Sequence, residues 1–194
     1  MDFQLFFIEG LNHILDPKGC DHMLFLLALV ASYTPRDWRK FIGLATAFTI
    51  GHSITLGLVV YGVIEINPAL IEWLIPVSIL ITALLNIRRV HRKHHNSENM
   101  AVRFFITLAF GLIHGMGFSS YLRMLVGKGN DLAVPLLGFN LGVELGQLLF
   151  LLAFFIILVF VHSLSRIKHR DWIIFLSGGC ASMAFFVSIE TWPF

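Results

Sequence analysis

Charge is scarce in this chain of 194 residues: Lys, Arg, Asp and Glu make up 13% of it, against 57% hydrophobic residues that include 19 Phe. A water-soluble domain of that size needs more polar side chains than this to cover its surface, so the expected solvent is a bilayer. Cysteine is nearly missing as well. Cys20 and Cys180 are too few for a disulfide framework, and their spacing matches neither a zinc ribbon nor a redox pair, so both read as buried thiols. So little thiol also argues against a copper(I) or iron-sulfur centre. The first residues lack the positive charge of a secretory leader, carrying Asp2 and Glu9 instead, and no small-residue cleavage site follows; the N-terminus is expected to stay. There is no H-E-x-x-H, no G-x-S-x-G and no glycine loop after a strand. Ser119 and Ser120 follow His114 without any base that the sequence alone can place beside them. Beyond a few basic loop residues, nothing supports a nucleic-acid partner.

What the chain does have is long apolar runs. A hydrocarbon core of roughly 30 Å needs about 20 helical residues, and such runs recur near Gly19 to Tyr33, Trp38 to Val63, Ala69 to Ile87, Val102 to Leu125, Leu136 to Ser163 and Trp172 to Ile189. The expected fold is all-α: a polytopic membrane helix bundle of about six transmembrane helices. Phe3 to Leu15 is apolar but too short to cross, and Pro17 and Gly19 separate it from the first span. It reads as a short interfacial or re-entrant helix. One integral membrane domain over 1–194 is expected, with 1–17 as a capping segment and 18–190 as the bundle. Basic residues cluster in alternate connections: Arg36, Arg39 and Lys40; Arg88, Arg89, Arg92, Lys93 and Arg103; Arg166, Lys168 and Arg170. The other connections hold Glu65 and Glu72, or Arg123 and Lys128 against Asp131. The positive-inside rule then puts both termini outside, with lipid as the surrounding partner.

Ionisable and polar groups inside the apolar runs are expensive there, so each is a site hypothesis beside the plainer reading of an interhelical hydrogen bond. They are His22, His52, His114, Asn140, Glu144 and Gln147, with Asp21 at the mouth of a run and His13 in the capping segment. At ~1.5 Å of rise per residue, His52, His114, Asn140 and Glu144 share the outer half of the bilayer. His22 joins them if the first span starts in a recess beneath the capping segment, which would also bring His13 over the site. Asn140, Glu144 and Gln147 form one stripe, while Gly138, Gly142 and Gly146 form a small-residue stripe on roughly the opposite face. Gly111, Gly115 and Gly117 likewise open the surroundings of His114 to a neighbour. An echo links Ala47-Phe48-(x3)-His52 with Ala109-Phe110-(x3)-His114, by chance or by duplication.

Imidazole nitrogen with carboxylate oxygen suits zinc, nickel or iron. The candidate metal residues are His13, Asp21, His22, His52, His114 and Glu144. Asp21 could also accept the second N–H of a ligating ring, and Asn140, Gln147, Thr49 and Ser53 are candidate supports of the same kind. A cation would compensate a buried Glu144. His91, His94 and His95 sit among Arg92 and Lys93, where positive neighbours oppose cation binding and a headgroup-facing loop is the better reading.

These residues fall in four phrases: His13 with "GCDHMLFLLAL", "AFTIGHSITL" at 47–56, "FGLIHGMGFSS" at 110–120 and "FNLGVELGQ" at 139–147. In that order they resemble the HupE/UreJ family of bacterial membrane proteins, in particular its second branch. Seven residues separate His13 from Asp21, more than in the first branch, and the acid of the later motif comes from Glu144 on the next span. The resemblance implies nickel or cobalt permeation across the inner membrane of a bacterium, with His13, Asp21, His22 and His114 handling the metal. From the residues themselves a second class stays open: an intramembrane metal-dependent hydrolase, with Glu144 or Asp21 as general base beside a zinc- or iron-bound water, acting on a lipid or membrane-anchored protein. A purely structural polar core is the third.

Overall fold

A computed structural model describes residues 2–91, 99–126, 132–164 and 167–193. Arg92, Lys93, His94, His95, Lys128, Asp131 and Arg166 lie outside the described residues, as does the His91 side chain. The described residues form seven α-helices and no strand: α1 (Phe3–Leu15), α2 (Asp21–Val30), α3 (Trp38–Val60), α4 (Pro68–His91), α5 (Met100–Val126), α6 (Ala133–Leu164) and α7 (His169–Glu190). Five of them, α3 to α7, are long and apolar enough to cross a membrane. Their bounds follow the expected spans to within a few residues.

The first expected span differs. Only ten residues, Asp21–Val30, are helical there, or ~15 Å of rise. The reason is local: Pro17 lacks an N–H and disfavours helix at Asp16, so α1 ends there and a single 3-10 turn, Pro17–Gly19, separates it from α2. Other ends are set as plainly. Asp2 caps α1 by accepting from the Gln4 N–H at 3.0 Å. Thr34 donates through its backbone N and Oγ1 to Asp37 Oδ2, at 3.2 and 2.9 Å, to start the turn into α3. Gly62, at φ 74°, closes α3 in a Schellman arrangement, with Val63 N–H reaching the Leu58 carbonyl at 2.8 Å.

Small residues decide which helices meet. On α3 and α5, a Cβ at Gly51 would run into the Leu108 carbonyl, one at Gly111 into the Phe48 carbonyl and one at Gly115 into the His52 carbonyl. From Phe48 and Gly111 to His52 and Gly115 the contacts advance four residues along both helices, so α3 and α5 run in the same direction. Thr55 Oγ1 adds a hydrogen bond to the Leu112 carbonyl at 2.7 Å. On α1 and α6, Gly138 meets the backbone of Phe3 and Gly142 that of Phe7, while Gly10 takes the carbonyl of Phe139; these helices also run together. The glycine stripe of α6 is therefore the seat of α1.

α4 packs against α7, with Trp73 and Trp192 edge to face at one end, 5.3 Å between centroids. Asn86 Nδ2 ties α4 to α2 through the Ala28 carbonyl at 2.6 Å. Beyond α2, Tyr33 accepts from Arg103 Nη1 at 2.7 Å, at the start of α5. Arg39 and Lys40 share a surface groove there with Met100 and Phe104. One end of the bundle is thus basic. Since α1 lies along the first half of α6 and α2 descends to the basic end, α1 and α2 act as two half-helices that meet in mid-bundle. Outward faces carry exposed Leu152, Ile156, Phe160, Phe175 and Phe186, as hydrocarbon surroundings require.

Candidate metal centre

The break between the half-helices is where the histidines gather. His13 stands in the last turn of α1 and His22 in the first turn of α2, while α3 supplies His52 and α5 supplies His114. The ligand atoms of His13, His22 and His52 all lie within 4.8 Å of one another. His114 adjoins them, its ring centroid 5.2 Å from that of His22. His52 and His114 are wholly buried and His22 is 3% exposed. The recess expected beneath α1 exists, and it holds His13 4.4 Å from His22, centroid to centroid.

Hydrogen bonds fix two of the rings. His114 Nδ1 donates to the Phe110 carbonyl at 2.9 Å, and His22 Nδ1 donates to Asp21 Oδ1 at 3.2 Å. In a neutral imidazole that leaves the Nε2 lone pair outward. The Nε2 atoms of His13, His22, His52 and His114 are all buried without a hydrogen-bond partner among the described residues, and so is Nδ1 of His52. Each such atom costs about 1–3 kcal/mol if left unsatisfied. Packing alone gives no reason to collect several in one place. A cation that accepts their lone pairs does, and the donor set, borderline nitrogen with a carboxylate behind one ring, fits a late first-row divalent metal.

Aromatic rings wall the cluster. Phe118 lies 4.0 Å from His13, Phe139 5.5 Å from His13 and 6.2 Å from His52, and Phe48 and Phe25 stand 5.0 and 5.2 Å from His114. These walls were invisible in the sequence, because nothing distinguishes four Phe among 19. On one side the wall opens into a cavity of about 680 Å³, lined by Glu9, Asn12, His13, Asp16, Asp21 and Tyr121 among others. Glu9 and Asp16 were also missed. Their signal was present: Glu9, Asn12 and Asp16 occupy the face of α1 away from buried Phe6, Gly10 and Ile14. The cluster therefore has an acid-lined approach remote from the basic end.

The polar stripe of α6 is placed elsewhere. Glu144 is not in the three-histidine group. Its Oε1 accepts from Thr46 Oγ1 at 2.7 Å, and Gln147 Oε1 accepts from Thr49 Oγ1 at 3.0 Å. Ser53 Oγ donates back to the Thr49 carbonyl at 2.7 Å. None of Asn140, Gln147 and Ser53 hydrogen-bonds an imidazole among the described residues. The physical reason is rotation about α6. With its glycines under α1 and Phe139 beside the histidines, the helix turns Glu144 toward α3. Thr46 was not among the sequence candidates. The expectation that Gly111 and Gly115 admit a partner holds for α3, while Gly117 faces the side chain of Ile75 on α4. The Ala-Phe-(x3)-His echo falls on α3 and α5, the pair that run together.

A multi-pass bundle of membrane-length helices, closing on imidazoles whose Nε2 atoms have no hydrogen-bond partner among the described residues, defines a membrane protein with a candidate cation site. The chain belongs to the HupE/UreJ family, whose description, HupE / UreJ protein, matches residues 1–192. No curated protein and no solved structure matches it.

Proposed function

We propose that this protein is a permease for a divalent transition-metal cation, nickel or cobalt, in the inner membrane of a bacterium. The observation that carries the reading is the convergence of His13, His22 and His52 at the meeting point of two half-helices, with ligand atoms within 4.8 Å of one another and Nε2 atoms unpartnered among the described residues. A cation arriving through the cavity meets Glu9, Asp16 and Asp21 first, which raise its local concentration, and then exchanges water for imidazole. The C-terminal end of α1 contributes the negative end of its dipole to the same place, and Asp21 in the first turn of α2 offsets the positive end of that helix. The positive-inside rule makes the Arg39, Lys40 and Arg103 end cytoplasmic, so both termini and the cavity are outside and the direction is inward.

The hydrolase reading has less behind it. Asp21 is engaged with His22, and Glu144 lies outside the three-histidine group, so neither stands as a base facing the unpartnered nitrogens. Nickel uptake by metal-starved cells tests the proposal. Cells carrying His22→Ala or His52→Ala are expected to accumulate about tenfold less than wild type, or below, on the scale of losing one direct ligand or its support. Equal accumulation rejects transport through this cluster. Zinc or iron retained stoichiometrically through purification would instead favour the enzyme.

A further inference from the structure

We propose that Thr46, Asn140 and Glu144, supported by Thr49 and Gln147, form a second cation site between α3 and α6, built of oxygen donors and separate from the imidazole cluster. In transport it receives the divalent cation from the histidines on the way to the basic end, a step that rests on the permease reading above. Glu144 is the central residue. Thr46 holds one carboxylate oxygen at 2.7 Å, while the other, Oε2, is buried with no hydrogen-bond partner among the described residues. Asn140 Oδ1, one helical turn earlier, is buried and unpartnered in the same way. Two acceptor oxygens on one face of α6 thus lack a donor, Gln147 Nε2 in the same stripe bonds to neither of them, and a cation is what satisfies several acceptors at once.

The rest of the stripe is held in place. Gln147 is wholly buried, its amide oxygen fixed by Thr49 at 3.0 Å. On α6, which runs toward the basic end, Asn140 follows Phe139 at the level of the imidazoles and Glu144 lies about 6 Å deeper, so the site starts beside the cluster and extends from it along α3. Thr49 and Thr46 precede His52 by three and six residues, so they lie roughly 4.5 and 9 Å nearer the basic end. Chemistry separates the two. Imidazole nitrogens prefer nickel or cobalt, whereas carboxylate, amide and hydroxyl oxygens prefer harder ions and hold a late transition metal less tightly. A tighter nitrogen site followed by a looser oxygen site is an order that favours onward release.

Manganese(II), a hard cation whose paramagnetic resonance reports oxygen ligation, tests the second site in the full-length protein in lipid nanodiscs. Wild type and His52→Ala are expected to bind it alike, while Glu144→Gln weakens it about tenfold or more through loss of the one charged ligand. Glu144→Gln should keep nickel at the imidazoles yet lose uptake. Manganese binding equal in wild type and Glu144→Gln overturns the proposal. So does loss of nickel together with manganese in Glu144→Gln, since the carboxylate would then belong to the imidazole site. Should that variant fail to fold, Asn140→Ala decides, a several-fold weakening supporting the site and wild-type binding overturning it. If nickel binding is indifferent to His52 while manganese still depends on Glu144, the permease reading falls and the oxygen site stands.

Discussion

At the scale of single residues, the arrangement around His22 is the most demanding. Its Nδ1 is committed to Asp21, its Nε2 has no hydrogen-bond partner among the described residues, and its ring is grouped with His13 and His52. Asp21 therefore sets both the tautomer and the basicity of the ring. Asp21→Asn preserves the shape and can still accept the N–H, but removes the charge; nickel affinity of the purified protein is expected to fall about 10- to 100-fold. Titration calorimetry alongside circular dichroism checks this, and unchanged affinity with unchanged helix content would leave Asp21 without a role at the site. Much of the cluster was legible in the sequence for a simple reason. In an apolar run every ionisable residue stands out, so His22, His52 and His114 announce themselves. Glu9 and Asp16 did not, because acids in a short amphipathic segment look like a solvated face. Thr46 did not, because a hydroxyl in a membrane helix has its own backbone as a default partner.

At the scale of helices, close approach governs the site. The seat of α1 on Gly138 and Gly142 has no room for a Cβ, whereas Gly178 and Gly179 on α7 meet nothing within 4 Å. Gly142→Leu should lift α1 away, destabilise the protein by about 1–3 kcal/mol, as overpacking does, and abolish nickel binding with all four histidines intact. Gly178→Ala should do neither. Thermal unfolding followed by fluorescence, with elemental analysis of the same samples, separates the two; similar behaviour would deny α1 its part. The glycine stripe was readable as a contact surface, but its partner was not. A rule that asks for about 20 apolar residues per crossing cannot see two half-helices, and it left α1 as interfacial or re-entrant and gave a full span to Gly19 to Tyr33. The five long helices were read nearly to their ends, since length and hydropathy over-determine them.

At the scale of the molecule, charge is divided between the two ends. Arg39, Lys40 and Arg103 gather at one, while Glu9, Asp16 and Asp21 line the cavity away from it. This asymmetry predicts the orientation in the membrane. Alkaline phosphatase fused after Trp192 is expected to be active in the periplasm, and a fusion within the connection following Arg89 to be inactive; the reverse pattern would invert the direction assigned to the cation path.

The pairing of α1 with α6 also sets an order of events during biosynthesis. A ribosome delivers α1 first, as a segment too short to be held across the bilayer on its own, and the helix that seats it emerges only after α2, α3, α4 and α5. Until then His13 has no fixed place beside His22 and His52. The nascent protein therefore passes through an interval in which its membrane crossings are largely made and its cluster is still open at one corner, which delays the completed centre until nearly the whole chain has been built.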